Sequence, residues 1–272
     1  MTIKMMCAVF ATVAVFGLAA CGDDSKKAGA TAGAEDESDE AEETSSPQKS
    51  GPPGGLRGKT TYTGEPKAGV IKMTRDEKCA AQHQGDPTQD WLLVGDGNTL
   101  GNVVVWIKSG PKAWKDAATK TAPPSAEVKL DQKGCIYIPH VFALRAGQPF
   151  SVVNSDQTDH NVHFMGGGSN KEWNLAQAKG AAPITKPFAE PEAVPAIFKC
   201  DIHPWMTAVV GVFGHDAFAV TGKDGAFEFK ALPPGDYTLQ AYHEKFEKPM
   251  SAKVSVESEK TVDVAFKAFK FE

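Results

Sequence analysis

The sequence predicts an all-β fold of sandwich or barrel type, and three observations carry it. Short apolar runs alternate with period two, as in strands with one buried face. Gly and Pro punctuate them, as at Gly101-Asn102, Ser109-Gly110-Pro111, Ala146-Gly147 and Leu232-Pro233-Pro234-Gly235. Only Lys112–Lys120 and Lys171–Lys179 have room for a helical turn or two.

Taken in order, strands are expected at Leu56–Thr63, Val103–Lys108, Glu127–Leu130, Cys135–Leu144 and Pro149–Asn154. Asp159–Phe164 follows, then Ile197–Lys199 and Ala208–Phe213 on either side of a loop. Ala226–Lys230, Tyr237–Tyr242, Ala252–Val256 and Thr261–Phe266 close the chain, each alternating apolar with polar. The part from residue 56 onward is long enough for one large β domain or two small ones.

What precedes residue 56 reads as processing and tethering. Lys4, the uncharged apolar run Met5 to Ala20, and Leu18-Ala19-Ala20-Cys21 have the charged, apolar and small-residue order of a signal peptide. The cysteine at the cut point resembles a lipobox, so residues 1–21 are expected to direct export and Cys21 to carry lipid. The run is short of the roughly 20 apolar residues of a membrane-spanning helix. Residues 22–55 are Gly, Ala, Ser, Pro and acid, too polar to offset the entropy of ordering, and are expected to be a disordered acidic tether. That stretch holds nine carboxylates against three lysines, more than the whole chain's net −5, so the folded part is close to neutral. A neutral domain offers no electrostatic case for nucleic acid.

The chemistry concentrates in Cys200-Asp201-Ile202-His203-Pro204-Trp205-Met206. Cys200, His203 and Met206, spaced three residues apart, present a thiolate, an imidazole and a thioether, and His160 in Asp159-His160-Asn161-Val162-His163-Phe164 supplies a second imidazole from a strand. One thiolate, two imidazoles and a weak axial thioether form the donor set of a single type 1 (blue) copper ion. Zinc accepts Cys and His as well, but Met favours copper. His83, His140, His163, His215 and His243 are expected to be ordinary surface or hydrogen-bonded histidines.

Two family resemblances follow. Residues 125–214 resemble a cupredoxin, a Greek-key β-sandwich, and within that family are most similar to the amicyanin group, which shares the His-Asn strand and the Cys-x-x-His-Pro-aromatic-Met loop. The resemblance implies His160, Cys200, His203 and Met206 as copper ligands and Asn161 as the residue hydrogen-bonded across to the cysteine loop. It also implies that Pro204 stiffens that loop and that Trp205 contributes to a docking patch. Residues 56–124 and 215–272 resemble a smaller carboxypeptidase regulatory-like β-sandwich. The residues that carry this are Gly58 to Gly64 and the hairpin from Asp224 through Leu232-Pro233-Pro234-Gly235 to Tyr237.

The copper donor set and the export signal point to one-electron transfer in the cell envelope, without catalysis, with a redox partner protein there, for example a c-type cytochrome or a dehydrogenase. The amicyanin group's own partner is not carried over, since docking surfaces diverge while sites persist. The alternative is a copper-carrying or adhesion-type binding lipoprotein. With Cys200 reserved for copper, export and the odd cysteine count leave Cys79 and Cys135 as disulfide partners, the alternative being two buried free thiols. The copper domain is expected to be inserted into the second sandwich; the alternative is a sequential order, 56–214 then 215–272.

Overall fold

The computed structural model describes residues 50–269 apart from 66, 68, 74, 75 and 90. Cys21, the expected signal peptide and nearly all of the expected acidic tether lie outside the described residues. Two pairs of sheets make up the described chain. β1 (Gly54–Tyr62) and β2 (Val104–Ser109) come first, with the short helices α1 (Glu77–Ala80) and α2 (Lys112–Ala118) around them. Next come β3 (Val128–Gln132), β4 (Tyr137–Ile138), β5 (Val141–Arg145), β6 (Phe150–Asn154), β7 (His160–Phe164), β8 (Trp173–Gln177), β9 (Ile184–Thr185), β10 (Ala196–Lys199) and β11 (Thr207–Phe213). The chain finishes with β12 (Phe218–Val220), β13 (Ala226–Leu232), β14 (Gly235–Tyr242), β15 (Met250–Val256) and β16 (Thr261–Phe269). Among the described residues no helix is long and apolar enough to cross a membrane.

In the central sandwich a sheet ordered β5-β11-β10-β7-β8 faces one ordered β4-β3-β6-β9. Leu130, Phe150 and Val152 of the second sheet meet Val162, Phe164, Phe198 and Val210 of the first in one core. The other sandwich sets β13-β1-β16 against β12-β2-β14-β15. Leu56, Val105, Ile107, Phe229, Leu239 and Phe266 fill its core. Gly58 is required by close approach there: a Cβ would lie 2.0 Å from the Val264 carbonyl oxygen and 2.4 Å from the Phe227 ring.

β2 pairs with β12 and β14 of the C-terminal region. The chain thus runs from β1 and β2 through the whole central sandwich and returns at β12. β2 and β11 are apolar on both faces because each has a core on one side and the other sandwich on the other. Val104, Trp106 and Tyr242 pack there against Val141, Val209 and Phe213. Arg145, buried on β5, fastens both crossings of the chain: its guanidinium donates to the Thr121 carbonyl at 2.9 Å and to Asp216 at 3.0 Å.

Three expectations need correction. Lys171–Lys179 holds no helix; β8 lies there, paired antiparallel with β7 from Phe164↔Trp173 to His160↔Gln177. Free ladder groups of β7 outweigh the weak helical preference of a short polar stretch. Cys135–Leu144 is not one strand, because Pro139 has no N–H for a ladder and divides it into β4 and β5, with Cys135 outside both. The first strand also begins at Gly54, two residues inside the expected tether.

His243, which follows β14, is 1% exposed and donates from Nε2 to the Trp91 carbonyl at 2.9 Å. Burial draws its pKa from 6.5 down to about 4. Between those values the unfolded chain takes up a proton that the folded chain refuses, so stability falls as the pH falls through that window. His243→Gln keeps a donor without a titrating nitrogen. Its urea midpoint is expected to change less between pH 7 and pH 4.5 than that of the wild type.

Candidate metal centre

β7 and the β10–β11 hairpin position the donors. His160, Val162 and Phe164 alternate inward along β7, which puts the His160 ring at the end of the core. β10 and β11 are in register from Ala196↔Val210 to Lys199↔Thr207, so residues 200–206 form the hairpin loop. The Cys200 amide closes it on the Met206 carbonyl (3.0 Å), and the Met206 amide turns back to the His203 carbonyl (2.8 Å). These bonds aim Cys200 and His203 back towards His160. The four side chains are enclosed: His160 and Cys200 are 1% exposed, His203 2% and Met206 0%.

Three donor atoms converge. His160 Nδ1 and His203 Nδ1 are 2.9 Å apart, and Cys200 Sγ lies 4.0 Å from the first and 3.7 Å from the second. The point equidistant from all three is about 2.1 Å from each, the length of a first-row metal bond to imidazole and within about 0.2 Å of one to thiolate. Met206 lies in the same core cluster as Cys200. The arrangement therefore fits one metal ion held by two imidazoles and a thiolate, and the thioether weights the set towards copper. Two further groupings of candidate ligands, Cys79-Cys135-His203 and Cys135-Asp156-His160, draw on sulfurs already joined to each other. Cys79 and Cys135 form a disulfide with an S–S distance of 2.02 Å, and Cys200 is the free cysteine among the described residues.

The electrostatics suit a deprotonated thiol. Burial alone would raise the Cys200 pKa, but hydrogen bonds with His160 and His203 outweigh it and bring the value down to about 6. Burial works against a charged His160 too, yet Asp156 and Cys200 raise it to about 9. His203 is shifted upward for the same reasons, with Asp76 in place of Asp156.

Asn161 bridges strand and loop. Its Oδ1 accepts from the Asp201 amide at 2.7 Å and the Ile202 amide at 3.3 Å, and lies 3.3 Å from Cys200 Sγ. Trp205 is half-buried, packs on His203 with ring centroids 5.2 Å apart, and donates to the Cys135 carbonyl at 2.9 Å. It is a wall of the site more than an open patch. Pro204 is exposed beside it. His163, on the other side of β7, pairs with Asp201 (2.9 Å) and Glu172 (2.6 Å) outside the donor set. His83 meets the Gly134 carbonyl (2.7 Å), and His140 pairs with Glu244 (3.1 Å).

Two functional carboxylates escaped the sequence reading. Asp156 Oδ2 lies 2.9 Å from His160 Nε2, and Asp76 Oδ2 lies 3.1 Å from His203 Nε2. Asp156 stands four residues before His160, a spacing that could have flagged it. For Asp76 no local signal exists, because the partner is distant in sequence.

A carboxypeptidase regulatory-like domain model matches residues 203–268. No curated protein matches the sequence. Several solved structures resemble part of the chain. The purple cupredoxin of Nitrosopumilus maritimus is 17% identical, matching 32% of this chain and 99% of its own, with a TM-score of 0.27. A Cu(I) amicyanin variant is 22% identical over 40% of this chain and 98% of its own, with a TM-score of 0.28. The copper-containing nitrite reductase of Thermus scotoductus is 18% identical over 32% of this chain, with a TM-score of 0.30, and only 22% of its length is covered. The protein is thus nearly all β, carries a region matched by the carboxypeptidase regulatory-like model, and has structural neighbours among the cupredoxins.

Proposed function

We propose that this chain is a lipid-anchored type 1 copper protein that carries single electrons in the cell envelope. The observation that supports it best is the enclosed triangle of His160 Nδ1, His203 Nδ1 and Cys200 Sγ beside buried Met206. Bound copper would supply a Cu(I)/Cu(II) couple. The protein's own part is to hold the donors in one arrangement tolerable to both oxidation states. The hairpin fixes Cys200 and His203, β7 fixes His160, and Asn161 ties the two together. Enclosure favours a carrier over an enzyme, since donors this buried leave a substrate no approach to the metal.

The redox partner in this reading is an envelope protein, such as a c-type cytochrome or a dehydrogenase, and the anchor is lipid on Cys21. We also read residues 125–214 as inserted into a sandwich made of 56–124 and 215–272. Support for this comes from β2, which pairs with β12 and β14. The deciding experiment is an absorption spectrum of the copper-loaded protein. An intense visible thiolate-to-copper band that bleaches and returns on reduction and reoxidation is expected; a colourless Cu(II) form would end the electron-transfer reading. Wild-type protein is expected to partition with membranes and Cys21→Ser to be released from them.

A further inference from the structure

The outer face of the metal centre carries a device that its donor set does not require. With Nδ1 of each imidazole turned to the metal position, each Nε2 carries the hydrogen. His160 gives it to Asp156 at 2.9 Å and His203 gives it to Asp76 at 3.1 Å. Each carboxylate is held in turn by the backbone amide of a half-cystine. The Cys135 amide donates to Asp156 Oδ2 at 2.8 Å, and the Cys79 amide donates to Asp76 Oδ1 at 3.0 Å. The disulfide joins these two cysteines, and Cys79 Sγ itself lies 3.5 Å from His203 Nε2.

The two arms differ in what secures them. Asp156 is buried and takes a further bond from the Gly134 amide at 2.6 Å. Asp76 is the N-cap of α1, which has only four residues, too few to hold itself as a helix. Removing the disulfide would therefore loosen the Asp76 arm, still tethered by buried Met73 before it and the His83–Gly134 bond after it, more than the Asp156 arm.

We propose that the Cys79–Cys135 disulfide is a clamp that positions Asp76 against His203, so that the carboxylate favours the oxidised over the reduced metal. The inference rests on the copper reading. A carboxylate behind a ligand imidazole makes it a stronger donor, and loss of such a partner typically costs 10–100-fold in metal affinity. The more positive Cu(II) gains more from that donor than Cu(I), so Asp76 lowers the reduction potential and its removal raises it. Asp76 is a positioning residue, acting on the metal through His203.

The test is a potentiometric titration of the copper-loaded full chain as wild type, Asp76→Asn, the pair Cys79→Ser with Cys135→Ser, and all three together. Asn caps a helix as well as Asp does, so Asp76→Asn keeps α1 while removing the charge. Its potential is expected to rise, by about 59 mV if Asp76 favours Cu(II) over Cu(I) tenfold. The serine pair is expected to raise it in the same direction, and the triple variant to go no further than the larger single effect. If the serine pair does not fold, Cys79→Ala with Cys135→Ala replaces it with the same expectations. An unmoved potential in Asp76→Asn overturns the proposal, as does a triple variant whose shift is the full addition of the other two. A wild type without the visible band or a copper couple overturns the carrier reading and this inference with it. A normal blue wild type with an unmoved Asp76→Asn potential overturns the inference alone.

Discussion

Replacing Cys200 with Ser is expected to abolish the visible band and to weaken copper binding by more than about 100-fold, the upper end of what losing a mere outer partner costs. The reason lies in the triangle: Cys200 Sγ is the one soft donor among the three close atoms, and a hydroxyl can neither replace a thiolate's softness nor ionise as readily. Met206→Gln is expected to shift the band and keep it, because the axial position tolerates an amide oxygen. His163→Asn, on the far side of β7 and bonded to Asp201 and Glu172, serves as the control that leaves colour unchanged. A second readout needs no spectrum. A ligand that binds only the folded protein, at a thousand times its Kd, stabilises it by about 4 kcal/mol. Copper is therefore expected to raise the Tm of the wild type well beyond any rise in Cys200→Ser, where a 100-fold loss of affinity leaves at most about 1.4 kcal/mol. A coloured Cys200→Ser protein would remove Cys200 from the site.

Much of this centre was legible because its parts are local. Cys200, His203 and Met206 sit in one hairpin loop, so their interval in sequence already fixes how they can share a centre. His160 was legible from the likeness of its His-Asn strand to the amicyanin group's, and the alternation of β7 set it apart from His163. The strands followed from the same alternation, and the failures show its limits. Around β8, Trp173, Leu175 and Gln177 do alternate, but the face they sit on is partly exposed and the apolar signal is thin. At Cys135–Leu144 one proline outweighed a run of apolar residues. Contacts between distant segments left no trace: Asp76 with His203, or His140 with Glu244 across the two sandwiches. Each joins polar groups from unrelated loops, and nothing in either loop alone announces the partner.

Asp156→Ala is expected to cost the metal-free protein about 3–5 kcal/mol, the range for removing one member of a buried ion pair. Both side chains of the Asp156–His160 pair are 0% exposed. Alanine would strand three donors at once: the Gly134 amide, the Cys135 amide and His160 Nε2. Each unsatisfied buried group costs about 1–3 kcal/mol. Asp156→Asn keeps an oxygen for one or two of the three and is expected to lose roughly half as much. The pH dependence identifies the cause. Burial would raise the Asp156 pKa, but the bonds from His160, Cys135 and Gly134 hold it below the usual carboxylate range. Its contribution is thus present above pH of about 3.9 and lost as the pH falls through the folded value. His160 is shifted the other way, to about 9, so its contribution is full below pH of about 6.5 and is lost as the pH rises through about 9. The stability gap between wild type and Asp156→Ala, measured by urea denaturation, should therefore be widest between about pH 4 and 6.5 and shrink on both sides. A gap that is constant from pH 3 to 9 would mean that alanine acts through lost packing and not through the charge it removes.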